Sequence, residues 1–177
     1  LLPFVQVGEV EDKKFKWKNA IKYGKQEIFL RYERILSPKE GYIDPENDSL
    51  ALLSKQYLGS PDKYYLRYRN TYKDRISWGI TAEKDAGEEF FRGSNKLGFD
   101  FYSGHLFFKD LWKFKKLAIG DYQLNIGQGL TMWSGFAMGK SADVFNARRF
   151  GYGLRPYTSV NENQFLRGVG FQIGLGK

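Results

Sequence analysis

The chain has 177 residues and a formal net charge of +8, from 28 Lys and Arg against 20 Asp and Glu. It has no cysteine and one histidine, His105, which excludes disulfide scaffolds, thiolate metal sites and zinc sites built from several histidines. No stretch approaches the roughly 18 consecutive apolar residues of a membrane-spanning helix. Aromatic residues make up 18% of the chain and alternate with charged ones, as in β-strands that have one apolar and one polar face.

Residues 1–24 lead into the predicted strands. They open on LLPFVQV without a methionine, and we expect them to be the end of a preceding region that is absent here. Residues 25–36 alternate apolar and polar side chains and predict the first strand, which a long connection at 37–62 follows. In that connection the carboxylates of IDPENDS alternate like the first ligands of a Ca²⁺ loop. Because Ser49 stands where such a loop needs glycine, and a lysine where it needs its distal glutamate, the sequence does not favour a calcium site.

A hairpin is predicted next, with strands at 64–72 and 76–83 joined by a three-residue turn at 73–75. Each strand has one face rich in aromatic and aliphatic side chains and one polar face. Arg67 and Arg69 lie on the polar face of the first strand. The pattern therefore indicates a sheet with one apolar face and one polar face in contact with water.

The remaining elements continue the alternation. They are a long connection at 84–96, a strand at 97–108, a short connection at 109–115, a strand at 116–127, a long connection at 134–164 and a last strand at 168–176. Asp100 is assigned to the polar face of the first of these strands, and Asp121, Gln123 and Asn125 to that of the second.

Connection length alternates strictly between long and short along the chain. Outer-membrane β-barrels have this property, because their periplasmic turns are short and their outer loops long. We therefore predict an all-β antiparallel meander that forms part of a transmembrane barrel, whereas a soluble sandwich, with its apolar faces covered by a second sheet, remains the alternative. The side chains expected to face the lumen are Arg67, Arg69, Asp100, Asp121, Gln123 and Asn125.

The strand count points to a piece of a larger barrel. Six predicted strands are fewer than the eight that a membrane barrel needs to leave no edge unpaired in lipid. The alternative is that short strands within 37–62 or 134–164 escape the pattern.

The long connection 134–164 contains GFAMGKS, which resembles a phosphate-binding P-loop. The run between its first glycine and Gly-Lys-Ser is one residue too short, and no apolar strand precedes it, so a nucleotide site is not predicted. We expect this connection to fold inward, because it is rich in aromatic residues. Its expected anchors to inward carboxylates such as Asp100 or Asp121, or to lipopolysaccharide, are Lys140, Arg155 and Arg167.

The region 120–171 resembles a family of large Bacteroidota outer-membrane proteins, labelled helix-hairpin-helix domain-containing, in which helical repeats precede a long β-barrel. The residues that carry the likeness are Gly120-Asp121-Tyr122, Gly127-Gln128-Gly129-Leu130, Gly139-Lys140-Ser141, Leu154-Arg155-Pro156-Tyr157, Glu162 and Phe165-Leu166-Arg167-Gly168. The resemblance implies a barrel segment in the bacterial outer membrane. The helical repeats themselves are absent, so their DNA-binding role does not transfer to these residues.

Two functional classes follow. The first is a non-enzymatic transport, channel or envelope-assembly component, with outer-membrane lipid, lipopolysaccharide and other outer-membrane or periplasmic proteins as partners. The second is an envelope protein that handles nucleic acid, which the positive charge would suit. No nucleophile and base are recognisable, His105 is expected to be structural, and neither a cofactor nor a metal is expected.

Overall fold

The computed structural model describes residues 17–37, 39–43, 56–93, 95–129, 131–134 and 151–174. The elements within them are α1 (Trp17–Tyr23), β1 (Lys25–Arg34), a 3₁₀ turn (Glu40–Tyr42), β2 (Asp62–Tyr72), β3 (Ile76–Lys84), β4 (Phe101–Leu111), β5 (Phe114–Asn125), β6 (Gly153–Pro156) and β7 (Leu166–Ile173). Every strand pairing is antiparallel. The prediction of an all-β antiparallel meander is therefore confirmed for the described residues.

The sheet follows chain order from β1 to β5, and β6 and β7 then flank β5 on opposite edges. β7 pairs with residues 114–122 of β5 along one edge. On the other edge, β4 pairs with the first part of β5 and β6 with its last residues, 122–125. In the described part of the chain, β1 and β7 each have one neighbouring strand, so the sheet is not closed.

Tight turns join the hairpins at one end of the sheet, which we call the tight-turn end. Lys73 and Asp74 have φ of 49° and 51°, and the Arg75 amide donates to the Tyr72 carbonyl at 3.1 Å. Two successive residues of positive φ make a type I′ turn, whose twist matches that of the strands it joins. Trp112 and Lys113 form the corresponding turn between β4 and β5.

Three sequence predictions need correction. The strand predicted at 97–108 begins only at Phe101, because residues 95–98 form a turn in which the Gly98 amide donates to the Asn95 carbonyl at 3.2 Å. The short connection predicted at 109–115 contracts to two residues, since β4 and β5 keep pairing up to Leu111 and Phe114. The connection predicted at 134–164 contains β6, a strand too short to produce a visible alternation.

The register gives the sheet two chemically different faces. The apolar face carries, in cross-strand rows from β1 to β4, Ile28-Tyr68-Ile80-Gly104 and Leu30-Leu66-Ala82-Tyr102. The polar face carries the rows Glu27-Arg69-Gly79-His105, Phe29-Arg67-Thr81-Ser103 and Arg31-Tyr65-Glu83-Phe101.

Burial on these two faces is opposite to that of a water-soluble sheet. On the apolar face Leu30 is 72% exposed, and Ile80 is 56% exposed although it lies on a central strand. On the polar face Thr81 and Ser103 are each 4% exposed. At these positions polar side chains are sheltered and large aliphatic side chains face outward, whereas the small Ala82 of the apolar face is buried.

Two small clusters are the apolar cores of the described residues. At the tight-turn end, Ala20 of α1 packs with Ile76 and Phe108 and covers the end of the apolar face. On the other side of the sheet, Phe107 and Ala118 pack with Leu154 of β6. Neither cluster reaches the middle of the apolar face.

Candidate functional site on the polar face

Charged residues on the polar face are matched across neighbouring strands. Arg69 donates from Nε to Glu27 Oε2 at 3.0 Å and makes a second contact through Nη2. Further along, Lys63 Nζ lies 3.0 Å from Glu83 Oε1, and Arg31 approaches the same carboxylate at 3.8 Å. Opposite charges on adjacent strands stabilise the pairing and fix its register.

Arg67 lies on the same face without a carboxylate partner among the described residues. Its guanidinium is 5.5 Å from the centre of the Phe29 ring, which is its direct cross-strand neighbour. A cation held over an aromatic face in this way is attracted by the ring quadrupole. Arg67 and Arg69 therefore both lie on the polar face, held by different partners.

His105 is buried at the centre of the polar face. Its Nε2 is 3.1 Å from Ser77 Oγ, and its ring also hydrogen bonds to the backbone of Tyr157. A Cβ on Gly79 would come within 3.1 Å of the imidazole, so glycine there makes room for the ring. Among the described residues no carboxylate hydrogen bonds to this histidine, so the serine–histidine pair lacks the acidic group that orients a catalytic imidazole.

β4 and β5 separate beyond the pair His105 and Gly120, and we call this divergence the fork. Gly120 has a φ of +91°, and a Cβ there would clash with the Gly104 carbonyl, so glycine is required where β5 turns away. The Asp121 side chain enters the gap and is 1% exposed.

Three residues donate hydrogen bonds to the Asp121 carboxylate. Gly104 N–H donates to Oδ2 at 3.1 Å, while Arg167 donates from Nε to Oδ1 at 2.6 Å and from Nη2 to Oδ2 at 2.9 Å. The Ser103 hydroxyl also hydrogen bonds to the carboxylate. Arg167 Nη2 reaches the Tyr102 carbonyl at 2.8 Å as well, so one arginine joins β7, β5 and β4 across the fork.

The segment from β6 to β7 folds over the polar face beside the fork. The Tyr157 amide donates to the Asp121 carbonyl at 3.0 Å, and the buried Tyr157 ring stacks on Phe165 with centroids 4.8 Å apart. Gln123 accepts from Arg155 Nε at 2.8 Å and donates to the Gln164 carbonyl at 2.8 Å. The segment is therefore tied down by backbone, side-chain and stacking contacts.

The remaining residues named from the sequence are dispersed. Asn125 is buried at the end of β5, opposite Gly153. Asp100 does not lie on a strand; it precedes β4 in a loop and is exposed, because that strand begins one residue later. Lys140 and the GFAMGKS motif lie outside the described residues, as do all but the first residue of IDPENDS.

Sequence reasoning missed three residues of this face: Glu27, Ser103 and Tyr157. The position of Glu27 was detectable, because it stands two residues before Phe29 on the strand predicted at 25–36 and therefore shares its face. Ser103 and Tyr157 were not detectable, since their roles depend on the fork and on the packing of a segment predicted to be a loop.

Outside the strands, Glu88 and Asp100 form a carboxyl pair in the loop 85–100. The hydrogen bond that the protonated Glu88 carboxyl donates to Asp100, together with partial burial, raises the pKa of Glu88 to about 7. Ionising both carboxyl groups of a contacting pair is unfavourable because the two negative charges repel, so the pair holds a proton near neutral pH.

The described residues contain no group of three or more His, Asp or Glu side chains placed to hold a metal ion. No helix within them is long and apolar enough to cross a membrane. No protein-family model, curated protein or solved structure matches the chain, so the family resemblance stays a prediction.

Proposed function

We propose that this chain is a segment of a transmembrane β-barrel in the bacterial outer membrane, with its apolar face toward lipid and its polar face toward the lumen. The observation that carries the proposal is the contrast between Ile80 and Thr81. These are consecutive residues of a central strand, yet the isoleucine is 56% exposed and the threonine 4% exposed. In water, the apolar side chains in the middle of the sheet would stay exposed to solvent, whereas in a membrane the lipid chains would cover them.

The placement of aromatic rings on the apolar face supports the same arrangement. Tyr32 and Tyr64 pair with centroids 5.5 Å apart at the end with long connections, and Tyr68 and Trp78 pair at 5.0 Å toward the tight-turn end. Aliphatic side chains lie between the two groups. From Tyr64 to Tyr72 a strand extends about 27 Å at the usual rise, which is close to the roughly 25 Å apolar band of outer-membrane barrels before tilt is allowed for.

The open edges of the sheet support a larger assembly. In lipid, the unpaired backbone groups of β1 and β7 would each cost several kcal/mol. Further strands, or pairing of β1 with β7, would satisfy those groups. The resemblance to barrels longer than this chain favours further strands.

We further propose that the barrel works in transport or envelope assembly within a larger complex, and that it is not an enzyme. The segment from β6 to β7 folds over the polar face and would narrow a lumen there, which favours gated passage over an open pore. Most arginines of the strands are paired with carboxylates, so they do not form the continuous basic stripe that nucleic acid would need.

Tryptophan quenching by brominated phospholipid tests the membrane placement. We expect strong quenching in bilayers by lipids brominated in the acyl chain and a clear loss of the quenched component in Trp78→Phe. The matched control is Trp112→Phe, which removes an exposed indole at a turn and should leave that component unchanged. A protein that stays folded and monodisperse in buffer without detergent would contradict the proposal.

The competing nucleic-acid function is tested separately with duplex DNA. We expect no saturable binding at physiological salt. Tight binding that weakens steeply as salt increases would favour the nucleic-acid function instead.

A further inference from the structure

The tight-turn end of the polar face carries a cleft that the account above does not use. Lys109 of β4 stands directly opposite Lys116 of β5, which in turn stands opposite Gln172 of β7. These side chains, with Lys115 and residues 151–153, line a space of about 390 Å³ in which Asp110 is the one carboxylate among the lining residues described. The cleft is therefore a concave, predominantly cationic site.

The charges in this cleft are arranged unlike those on the rest of the face. Elsewhere on this face a cation lies opposite a carboxylate, as Arg69 does Glu27, or an aromatic ring, as Arg67 does Phe29. Here two lysines face each other, which is unfavourable for directly opposed cross-strand residues. In the described part of the chain, none of the three lysines lies within ion-pair distance of a carboxylate; Lys116 Nζ donates instead to the Tyr152 carbonyl at 3.0 Å. An anion between the two ammonium groups would reverse the sign of this interaction.

The floor of the cleft is open toward these groups. Gly153 has a φ of +66°, and a Cβ there would lie 3.6 Å from Lys116 Nζ and 3.7 Å from Gln172 Oε1. A missing side chain at this point leaves room for a ligand group between the ammonium and the amide. Three lysines line this small volume, and their combined positive charge suits a group with many acceptor oxygens and more than one negative charge.

We propose that this cleft binds a phosphate group, either as a free ion or as the headgroup of an anionic phospholipid. Its basis is the cleft geometry alone, so it does not depend on the barrel assignment. Lysines act on phosphate as point charges, and the loss of one charge-assisted contact is expected to weaken binding roughly tenfold.

The test uses the whole chain in zwitterionic detergent and two probes. Inorganic phosphate is titrated by calorimetry, and nanodiscs of phosphatidylcholine with or without phosphatidic acid are compared for retention of the lipid by ³¹P NMR. Binding of inorganic phosphate would support a site for the free ion, and selective retention of phosphatidic acid a headgroup site. Absence of both would overturn the proposal.

Matched variants locate the binding. Lys109→Gln and Lys116→Gln should each weaken binding about tenfold, whereas Lys113→Gln, which removes the same charge from the exposed turn, should change it by less than about twofold. Equal loss in all three variants, or preferential binding of duplex DNA, would show a general basic surface and refute the cleft. Thermal unfolding is a second readout: without phosphate, Lys109→Gln should be more stable than the wild type, and the same phosphate concentration should stabilise the wild type more than the variant.

Discussion

Asp121 and Arg167 form one pair, but their environments differ greatly. The carboxylate is 1% exposed and also accepts from the Gly104 amide, whereas the arginine side chain is 62% exposed. Truncating the buried partner leaves a backbone donor and an arginine unmatched, while truncating the exposed partner leaves a carboxylate that still has Gly104 and Ser103.

We therefore predict an asymmetric response. Asp121→Ala should lower the free energy of unfolding by about 3 kcal/mol, and Arg167→Ala by about 1 kcal/mol, as measured by urea unfolding in detergent micelles. Asp121→Asn keeps an acceptor for the Gly104 amide, so its loss of unfolding free energy should lie between those of the two alanine variants. Equal costs for the two truncations would show that the fork is held by the ion pair alone.

Glu88 makes the loop 85–100 sensitive to pH. Its pKa is raised from 4.5 to about 7 by the hydrogen bond that protonated Glu88 donates to Asp100 and by burial, with Asp85 also raising it and Lys84 lowering it. A carboxyl whose pKa is raised by folding stabilises the folded loop at low pH, and this contribution disappears as the pH rises through the folded pKa.

Hydrogen exchange in this loop should therefore accelerate, after correction for intrinsic rates, between about pH 5 and about pH 8. Glu88→Gln should abolish this change, because an amide stays neutral over the whole range. The control is Glu33→Gln, whose carboxylate lies outside the loop. An unchanged pH profile in Glu88→Gln would contradict the assignment.

The sequence named both members of the Asp121–Arg167 pair but not the backbone donor beside it. Asp121 was selected from the period-two pattern, and Arg167 as an anchor of the preceding connection to a carboxylate such as Asp121, a contact that the structure contains. The Gly104 amide is available to Asp121 only because β4 and β5 separate there. A pattern of side chains in the sequence does not predict which backbone amides lose their strand partner.

Among the elements, the turn between β2 and β3 uses residues poorly suited to its backbone. Lys73 and Asp74 both adopt positive φ, which costs an L-residue with a Cβ about 1 kcal/mol or more. Replacing the pair with Asn-Gly should raise the unfolding free energy by about 0.5–1 kcal/mol in urea titrations. Asp74→Ala, which keeps the strain, should not stabilise the protein, and a gain of equal size there would exclude the backbone explanation.

The segment from β6 to β7 depends on Tyr157 more than on any other aromatic side chain that the structure describes between 151 and 165. Tyr157 is buried, donates its hydroxyl to the Asn161 carbonyl at 2.6 Å and stacks on Phe165. Truncation to alanine would leave a large void and free the segment.

Tyr157→Ala should increase the rate of cleavage after Glu162 by a glutamate-specific protease by about tenfold or more, because local opening becomes easier. Tyr152→Ala, in the same segment but with an exposed ring, should cleave at nearly the wild-type rate. Similar cleavage of both variants would mean that the tyrosine does not anchor the segment.

Element prediction succeeded where alternation was long and failed where it was short or misleading. β2 and β3 have at least nine residues each and were located to within two residues. Alternation in LGFDF extended β4 too far toward its start, because the turn at 95–98 has no proline and its one glycine, Gly98, also fits a strand. β6 has four residues and forms because β5 offers it an edge, a tertiary cause that the local sequence does not record.

For the whole molecule, the two-faced pattern was visible in the sequence, but its orientation was not. Alternation establishes that one face is apolar and leaves open whether that face is covered by protein or by lipid. The structure adds that Ile80 is exposed on this face of a central strand, as are apolar residues on both edge strands, Leu30 on β1 and Phe171 on β7. The barrel and its membrane remain the central proposal.

Spin-label accessibility in bilayers tests that proposal most directly. Because the chain has no cysteine, no native thiol has to be removed before single cysteines are introduced for labelling. Single cysteines would replace Leu30, Ile80 and Phe171 on the apolar face, with Arg67 and Ser77 as matched positions on the polar face. We predict that labels at the first three sites collide mainly with oxygen dissolved in lipid, and that labels at the other two favour a water-soluble nickel chelate or are shielded from both. Apolar-face labels that are accessible to the nickel chelate, or buried from both reagents, would contradict the placement of this sheet in a membrane.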